Sequence, residues 1–170
     1  MNQTNMLDFA IETAKEAGNL LMSHFGQVLS IDKKSTNIDL VTIADRESET
    51  FIIDKIKKYY PQHHIISEES HPISGDSDYR WVIDPLDGTT NFVHNLPIFA
   101  ISIGLQYKNK TILGVVYNPA ADKCFFAETN AGAYLNGNPI RTTSTITLDH
   151  SLLVTGFPYA HDKRYEKGFY

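Results

Sequence analysis

Trp81-Val82-Ile83-Asp84-Pro85-Leu86-Asp87-Gly88-Thr89-Thr90-Asn91-Phe92 is the stretch on which the reading of this chain turns. An apolar run leads straight into Asp84, and Pro85, with no N–H to donate, is expected to end the strand ladder there. Asp84 and Asp87 stand three residues apart in a tight turn, so both carboxylates can face one point. Gly88 lets the backbone approach a ligand closely. Thr89-Thr90-Asn91 can open a helix, whose free N–H groups and positive dipole end suit a phosphate. Two carboxylates beside an anion site require a cation between them, and hard oxygen donors next to a phosphate select Mg²⁺ over zinc. The plainer alternative is an Asx-type turn followed by a capped helix, with both Asp residues structural. Asp-x-x-Asp alone favours that alternative. The full string from Asp84 to Phe92, set at the end of an apolar strand, favours the metal.

Upstream, Ser67-Glu68-Glu69-Ser70 follows a short apolar run, His63–Ile66. Paired acids at a strand end are ordinarily solvated charge. They gain meaning because the next strand also ends in an acid, Asp84, and neighbouring strands would bring the two ends together. Asp39 and Asp45 bracket the start of a helix; Asp45 reads most simply as its N-cap, or else as a group that orients a water at the metal.

Leu7, Ala10, Ile11, Ala14, Ala17, Leu21 and Phe25 recur at helical spacing and predict a helix from about Met6 to Phe25, capped by Thr4 or Asn5. A second helix is expected from Asp45 to Tyr60, stopping before Pro61, with Phe51, Ile52, the stem of Lys55, Ile56 and Tyr59 as its stripe. Strands are expected at His63–Ser67, Tyr79–Asp84, Ile98–Tyr107, Thr111–Asn118, Lys123–Glu128, Ala133–Leu135 and Leu152–Thr155, with turns at Lys108-Asn109-Lys110 and Asn136-Gly137. Two helices followed by a run of strands predict an α+β fold, layered helices on an antiparallel sheet.

The 170 residues suit one domain, and 42% apolar content with 10 Gly, 7 Pro and 1 Cys excludes disorder, collagen and disulfide scaffolds. A net charge of −5 argues against nucleic acid or an anionic membrane as partner, but not against a small phosphorylated molecule, which needs only a local positive site. The lone Cys124 reads as an inert strand residue. With no signal-like run at the N-terminus and no apolar stretch of spanning length, a cytoplasmic protein is expected. The seven histidines show no metal-ligand spacing and read as structural or surface residues.

These residues resemble the inositol monophosphatase family of Mg²⁺-dependent phosphatases. The likeness rests on Asp39–Asp45 (DLVT…D), Ser67–Ser70 (SEES), Trp81–His94 (WVIDPLDGTTNFVH) and Asn136–Ile140 (NGNPI), with Val154–Tyr159 similar to bacterial and archaeal members. The resemblance implies one Mg²⁺ held by Glu68, Asp84 and the carbonyl of Leu86, and a second by Asp84 and Asp87. Glu69 would neighbour the site. Asp45 and Thr89 would position and deprotonate the attacking water, the Gly88 and Thr89 amides would receive the phosphate, and Lys33 or Lys34 would lie nearby. Inositol monophosphate is the implied substrate; phosphatases of fructose bisphosphate, NADP and nucleotide bisphosphates share the same motif. Family members are often dimers, which admits a homodimer here.

One family signature is missing. Trp-Asp followed by small residues supplies a further carboxylate to the second metal, whereas the one Trp here, Trp81, precedes Val82. The 170 residues are therefore expected to be the N-terminal portion of a family member, without the half that shapes the alcohol pocket, and an inactive fragment binding Mg²⁺ weakly is the alternative to an enzyme.

Overall fold

Ala10, Ala14 and Ala17 are fully buried along one side of the first helix, and their small side chains let the helix lie close against its neighbours. The computed structural model describes the backbone of residues 3–27, 31–34 and 39–154, with side chains for 6–27 and 43–154. In chain order these form α1 (Gln3–His24), the hairpin β1 (Ile31–Lys34) and β2 (Asp39–Thr42), α2 (Ile43–Tyr59), β3 (His64–Ser67), β4 (Tyr79–Asp87) and α3 (Thr89–Val93). There follow β5 (Ala100–Tyr107), β6 (Lys110–Asn118), β7 (Lys123–Glu128), β8 (Gly132–Leu135) and β9 (Asn138–Ile140).

Strands β3 to β9 make one sheet in chain order. Helices α1 and α2 cover one of its faces, where Trp81, Ile83, Ile101, Ile103, Leu105, Leu113, Val115 and Cys124 meet Leu21, Ile52 and Ile56. Val82, Val116 and Phe125 lie on the other face and are exposed. The α+β class is as expected, helices layered on a sheet. Cys124 is buried, and burial raises its thiol pKa, as suits a packing residue.

Five expectations are corrected. The sheet is mixed, because β3 runs parallel to β4; an apolar run carries no direction, and residues 68–78 are long enough to return the chain to the same end of the sheet. β4 continues through Pro85 to Asp87, since its register with β5 shifts between Asp84 and Asp87 and the proline sits in that break, where no N–H is needed. α1 starts at Gln3, so Thr4 and Asn5 lie inside it. α2 starts at Ile43, so Asp45 is in its first turn rather than its cap; Thr42, also of a cap-favouring type, precedes the helix. Leu152, Leu153 and Val154 form no strand and are exposed, because no neighbouring strand pairs with them among the described residues. Thr155 to Tyr170 and the side chains of Lys33, Lys34 and Asp39 lie outside the described residues.

Candidate active site

In the parallel pair, Ser67 lies opposite Ile83, so the residues that follow, Glu68 and Asp84, come next to each other where the pairing of the two strands ends. The sequence supplies this because both runs end in an acid at the same register. From the helix side α2 brings Asp45, 2% exposed, and Glu49, 8% exposed. Burial pushes the Asp45 pKa up to about 8, reinforced by the charges of Glu69, Asp84, Glu68 and Glu49. Asp84 is raised to about 7, first by burial, then by Glu68 and Asp87, and by a hydrogen bond shared with Glu68. The Leu86 amide donates to Asp84 Oδ1 at 3.2 Å and pulls the other way. The site is a gathering of acids around Asp45 and Asp84, whose proton affinities their neighbours raise.

Next to it the chain turns sharply. Gly88 adopts φ +88°, and a Cβ there would stand 2.9 Å from the Ile98 carbonyl oxygen. The Thr89 hydroxyl donates to the Leu86 carbonyl at 3.0 Å, and the Phe92 amide donates to the Gly88 carbonyl at 3.0 Å to open α3. Phe92 anchors that turn against Phe25 and Phe99, with centroid separations of 5.5 and 4.9 Å. Asn91 Nδ2 closes it by donating to the Ile98 carbonyl at 2.7 Å. A cleft of about 330 Å³ opens beside Asp87, walled by Gly88, Asn91, Ile98, Val116 and Phe125.

The structure thus brings together Asp45, Glu68, Glu69, Asp84 and Asp87, and sets the Leu86 carbonyl, Gly88 and Thr89 at their edge. Among the described residues no group of three or more His, Cys, Asp or Glu side chains is arranged to hold a metal ion as it stands. The donor chemistry nonetheless fits Mg²⁺: all donors are hard oxygens, and Mg²⁺ keeps several waters and takes only one or two carboxylates from the protein. Sequence reasoning missed Glu49 and Ser48, both buried on α2. The available signal was their spacing: with Asp45 and Ile52 they continue one helical stripe at i, i+3, i+4 and i+7.

Three histidines make defined contacts within the fold, and His71, His94 and His150 are exposed. His63 is stacked between Tyr60 and Tyr79 at 4.9 and 4.8 Å, and its Nδ1 accepts from Trp81 Nε1 at 3.1 Å. His64 Nδ1 accepts from the Gly75 amide at 3.1 Å, and His24 meets Glu47 at 2.7 Å. No described helix is long and apolar enough to cross a membrane.

The sequence profile of the inositol monophosphatase family matches residues 2–169. The chain belongs to the inositol monophosphatase family. It is 45% identical over 157 residues to the Nus factor SuhB of Escherichia coli (strain K12), covering 91% of this chain and 58% of that protein. It is 44% identical over 164 residues to the inositol-1-monophosphatase of Synechocystis sp., covering 96% of this chain and 57% of the relative. The crystal structure of the extragenic suppressor protein SuhB from Bartonella henselae is similar with a TM-score of 0.80 and 38% identity, over 83% of this chain and 55% of that one. The chain therefore spans less than two thirds of the length of these family members.

Proposed function

We propose that this chain carries the metal- and phosphate-binding part of a Mg²⁺-dependent phosphomonoester phosphatase that hydrolyses inositol monophosphate to inositol and phosphate. The observation that carries the reading is the convergence of Glu68 and Asp84 just past the paired stretch of two parallel strands, with Asp45 facing them from α2. Glu68, Asp84 and the Leu86 carbonyl would hold one Mg²⁺, and Asp84 with Asp87 a second. When bound, the metal supplies Lewis acidity that acidifies a water and offsets charge on the leaving oxygen.

The chain's own groups do the rest. The Gly88 and Thr89 amides, at the start of α3 where helical partners are lacking, receive the phosphate oxygens. Thr89 donates its hydroxyl hydrogen to the Leu86 carbonyl, which leaves its oxygen lone pairs to orient the attacking water. Asp45 takes that water's proton. Burial and the neighbouring acids raise its proton affinity in the metal-free chain, and a cation held beside it would favour the carboxylate form that accepts the proton. The phosphoryl charge is met by fixed dipoles and cations, so no covalent nucleophile is needed.

A second reading is favoured by one specific observation. The only Trp is followed by Val82, so these 170 residues contain no Trp-Asp pair to complete the second cation's ligands. In that reading the chain binds Mg²⁺ weakly and does not turn over. Mg²⁺-dependent phosphate release from inositol 1-phosphate decides between them, with Asp84→Asn as control. Release by the wild type alone supports the enzyme. Release by neither supports the weak binder. Faster release from fructose bisphosphate, NADP or a nucleotide bisphosphate would keep the chemistry and replace the substrate.

A further inference from the structure

Ser48 lies in the interior of α2 with no exposed surface. A hydroxyl buried without a partner is costly, and within a helix serine ordinarily bonds back to the carbonyl one turn earlier. Ser48 instead donates to the carbonyl of Pro85 at 2.9 Å, 37 residues away in sequence. That carbonyl sits where the β4–β5 register breaks, between Asp84 and Asp87, so regular cross-strand pairing does not fix it. The next carbonyl, that of Leu86, lies in the same break and accepts from Thr89. Two hydroxyls from two helices thus hold two consecutive carbonyls of the bulge where a ladder is interrupted. On either side of the Pro85 carbonyl are the Asp84 carboxylate and the Leu86 carbonyl.

We infer that Ser48 is a positioning residue that holds the bulge so that Asp84 and the Leu86 carbonyl point at a common cation. The inference rests on the metal reading above and adds to it a residue that touches neither the cation nor the substrate. Asp45 and Ser48 are one helical turn apart, so the same face of α2 presents the acid and sets the strand end that the acid faces. Without the hydroxyl, the Pro85 carbonyl loses its fixed donor and the bulge can rotate, turning the Leu86 carbonyl and the Asp84 side chain away from each other.

The test is binding of Mn²⁺ alone to the full 170-residue chain, followed by electron paramagnetic resonance, together with amide exchange at Leu86 in the metal-free protein. Ser48→Ala removes the hydroxyl and leaves a gap; Ser48→Cys fills the gap with a feeble donor. Both are expected to weaken Mn²⁺ about tenfold, the scale typical of groups that orient metal ligands, and to speed exchange at Leu86. Thr13→Ala, which removes another fully buried hydroxyl, on α1, should leave Mn²⁺ affinity unchanged whatever it does to the melting temperature. Wild-type affinity in both Ser48 variants, with Asp84→Asn unable to bind, would overturn the positioning role and leave the metal reading standing. Weakening in Ser48→Ala but not in Ser48→Cys would assign the effect to packing and overturn it as well. Absence of Mn²⁺ binding by the wild type would overturn the metal reading, and this inference with it.

Discussion

The two ends of β4 are built on opposite principles. At its start, Trp81 is fully buried among Phe9, Tyr60 and His63, with ring separations of 5.6, 5.6 and 6.3 Å, and its one polar side-chain atom has a partner. At its end, Asp84 sits among acids that help push its pKa up to about 7. Helix α2 runs alongside both ends and changes character with them. Ile52 and Ile56 belong to the apolar core, and Asp45, Ser48 and Glu49 are buried in the same stripe one or two turns earlier. One end supplies cohesion. The other holds charges that would be more stable apart, and is kept in place by the first. Strain against local preference of this sort is what a binding or catalytic site requires of a fold.

The largest effect expected from breaking this comparison is at the cohesive end. Trp81→Ala should cost about 3–5 kcal/mol, the range for deleting a buried large aromatic, and should orphan the acceptor of His63. Urea unfolding followed by circular dichroism checks it. A loss under about 1 kcal/mol would mean that the aromatic cluster does not anchor the strand.

The acidic end makes a prediction of opposite sign. Asp45 and Asp84 have folded-state pKa values near 8 and 7 against an ordinary 3.8. Between roughly pH 4 and 8 the folded chain therefore keeps protons that the unfolded chain has released, and stability of the metal-free protein falls as pH rises through that window. A tenfold difference in proton affinity between the two states is worth about 1.4 kcal/mol. Asp45→Asn should flatten the fall and raise the melting temperature at pH 8, and Mg²⁺ should reverse the fall in the wild type. Melting curves from pH 4 to 9, with and without Mg²⁺, read all three; a metal-free protein equally stable throughout would dissolve the contrast between the two ends.

What could be read from the sequence follows the same division. The Trp81–Phe92 string and the helical periods of α1 announced themselves, because apolar spacing reports a buried face and Asp-Pro-Leu-Asp-Gly reports a turn with acids. The direction of β3 was hidden, since side-chain alternation is identical in parallel and antiparallel strands. Ser48 and Glu49 were hidden for a different reason. Period analysis counts apolar residues as inward and polar ones as outward, and at the acidic end of α2 the inward residues are polar. Asp45 was found as a residue but misplaced as a cap, because the rule for helix starts reads chemistry at the boundary and not which way the first turn faces.

A smaller effect sits at the hinge between strand and turn. Gly88→Ala must adopt a left-handed conformation that costs about 1–2 kcal/mol for a residue with a side chain. The added Cβ also meets the Ile98 carbonyl at 2.9 Å, so the turn has to open. Thermal melts should show a loss of at least that size, and Mn²⁺ affinity should fall with it. Unchanged affinity beside a lowered melting temperature would separate the turn from the cation.

The smallest effect tests whether charge matters at the acidic end because it is charge or because it is buried. Lys55 on α2 donates to Glu16 on α1 at 2.7 Å. The Glu16 side chain is about half exposed, at 51%, so water and salt screen the pair. Glu16→Gln should therefore cost about 0.2–1 kcal/mol, and the cost should vanish as salt is raised. Asp45→Asn should behave otherwise, with a gain at pH 8 that survives high NaCl, since Asp45 is 2% exposed and burial is the first cause of its raised pKa. Melting temperatures of the two variants in about 0.05 and about 1 M NaCl make the comparison, the Debye length at the higher salt being only about 3 Å. Equal salt sensitivity would mean that solvent reaches both sites alike, and that Asp45 behaves as surface charge after all.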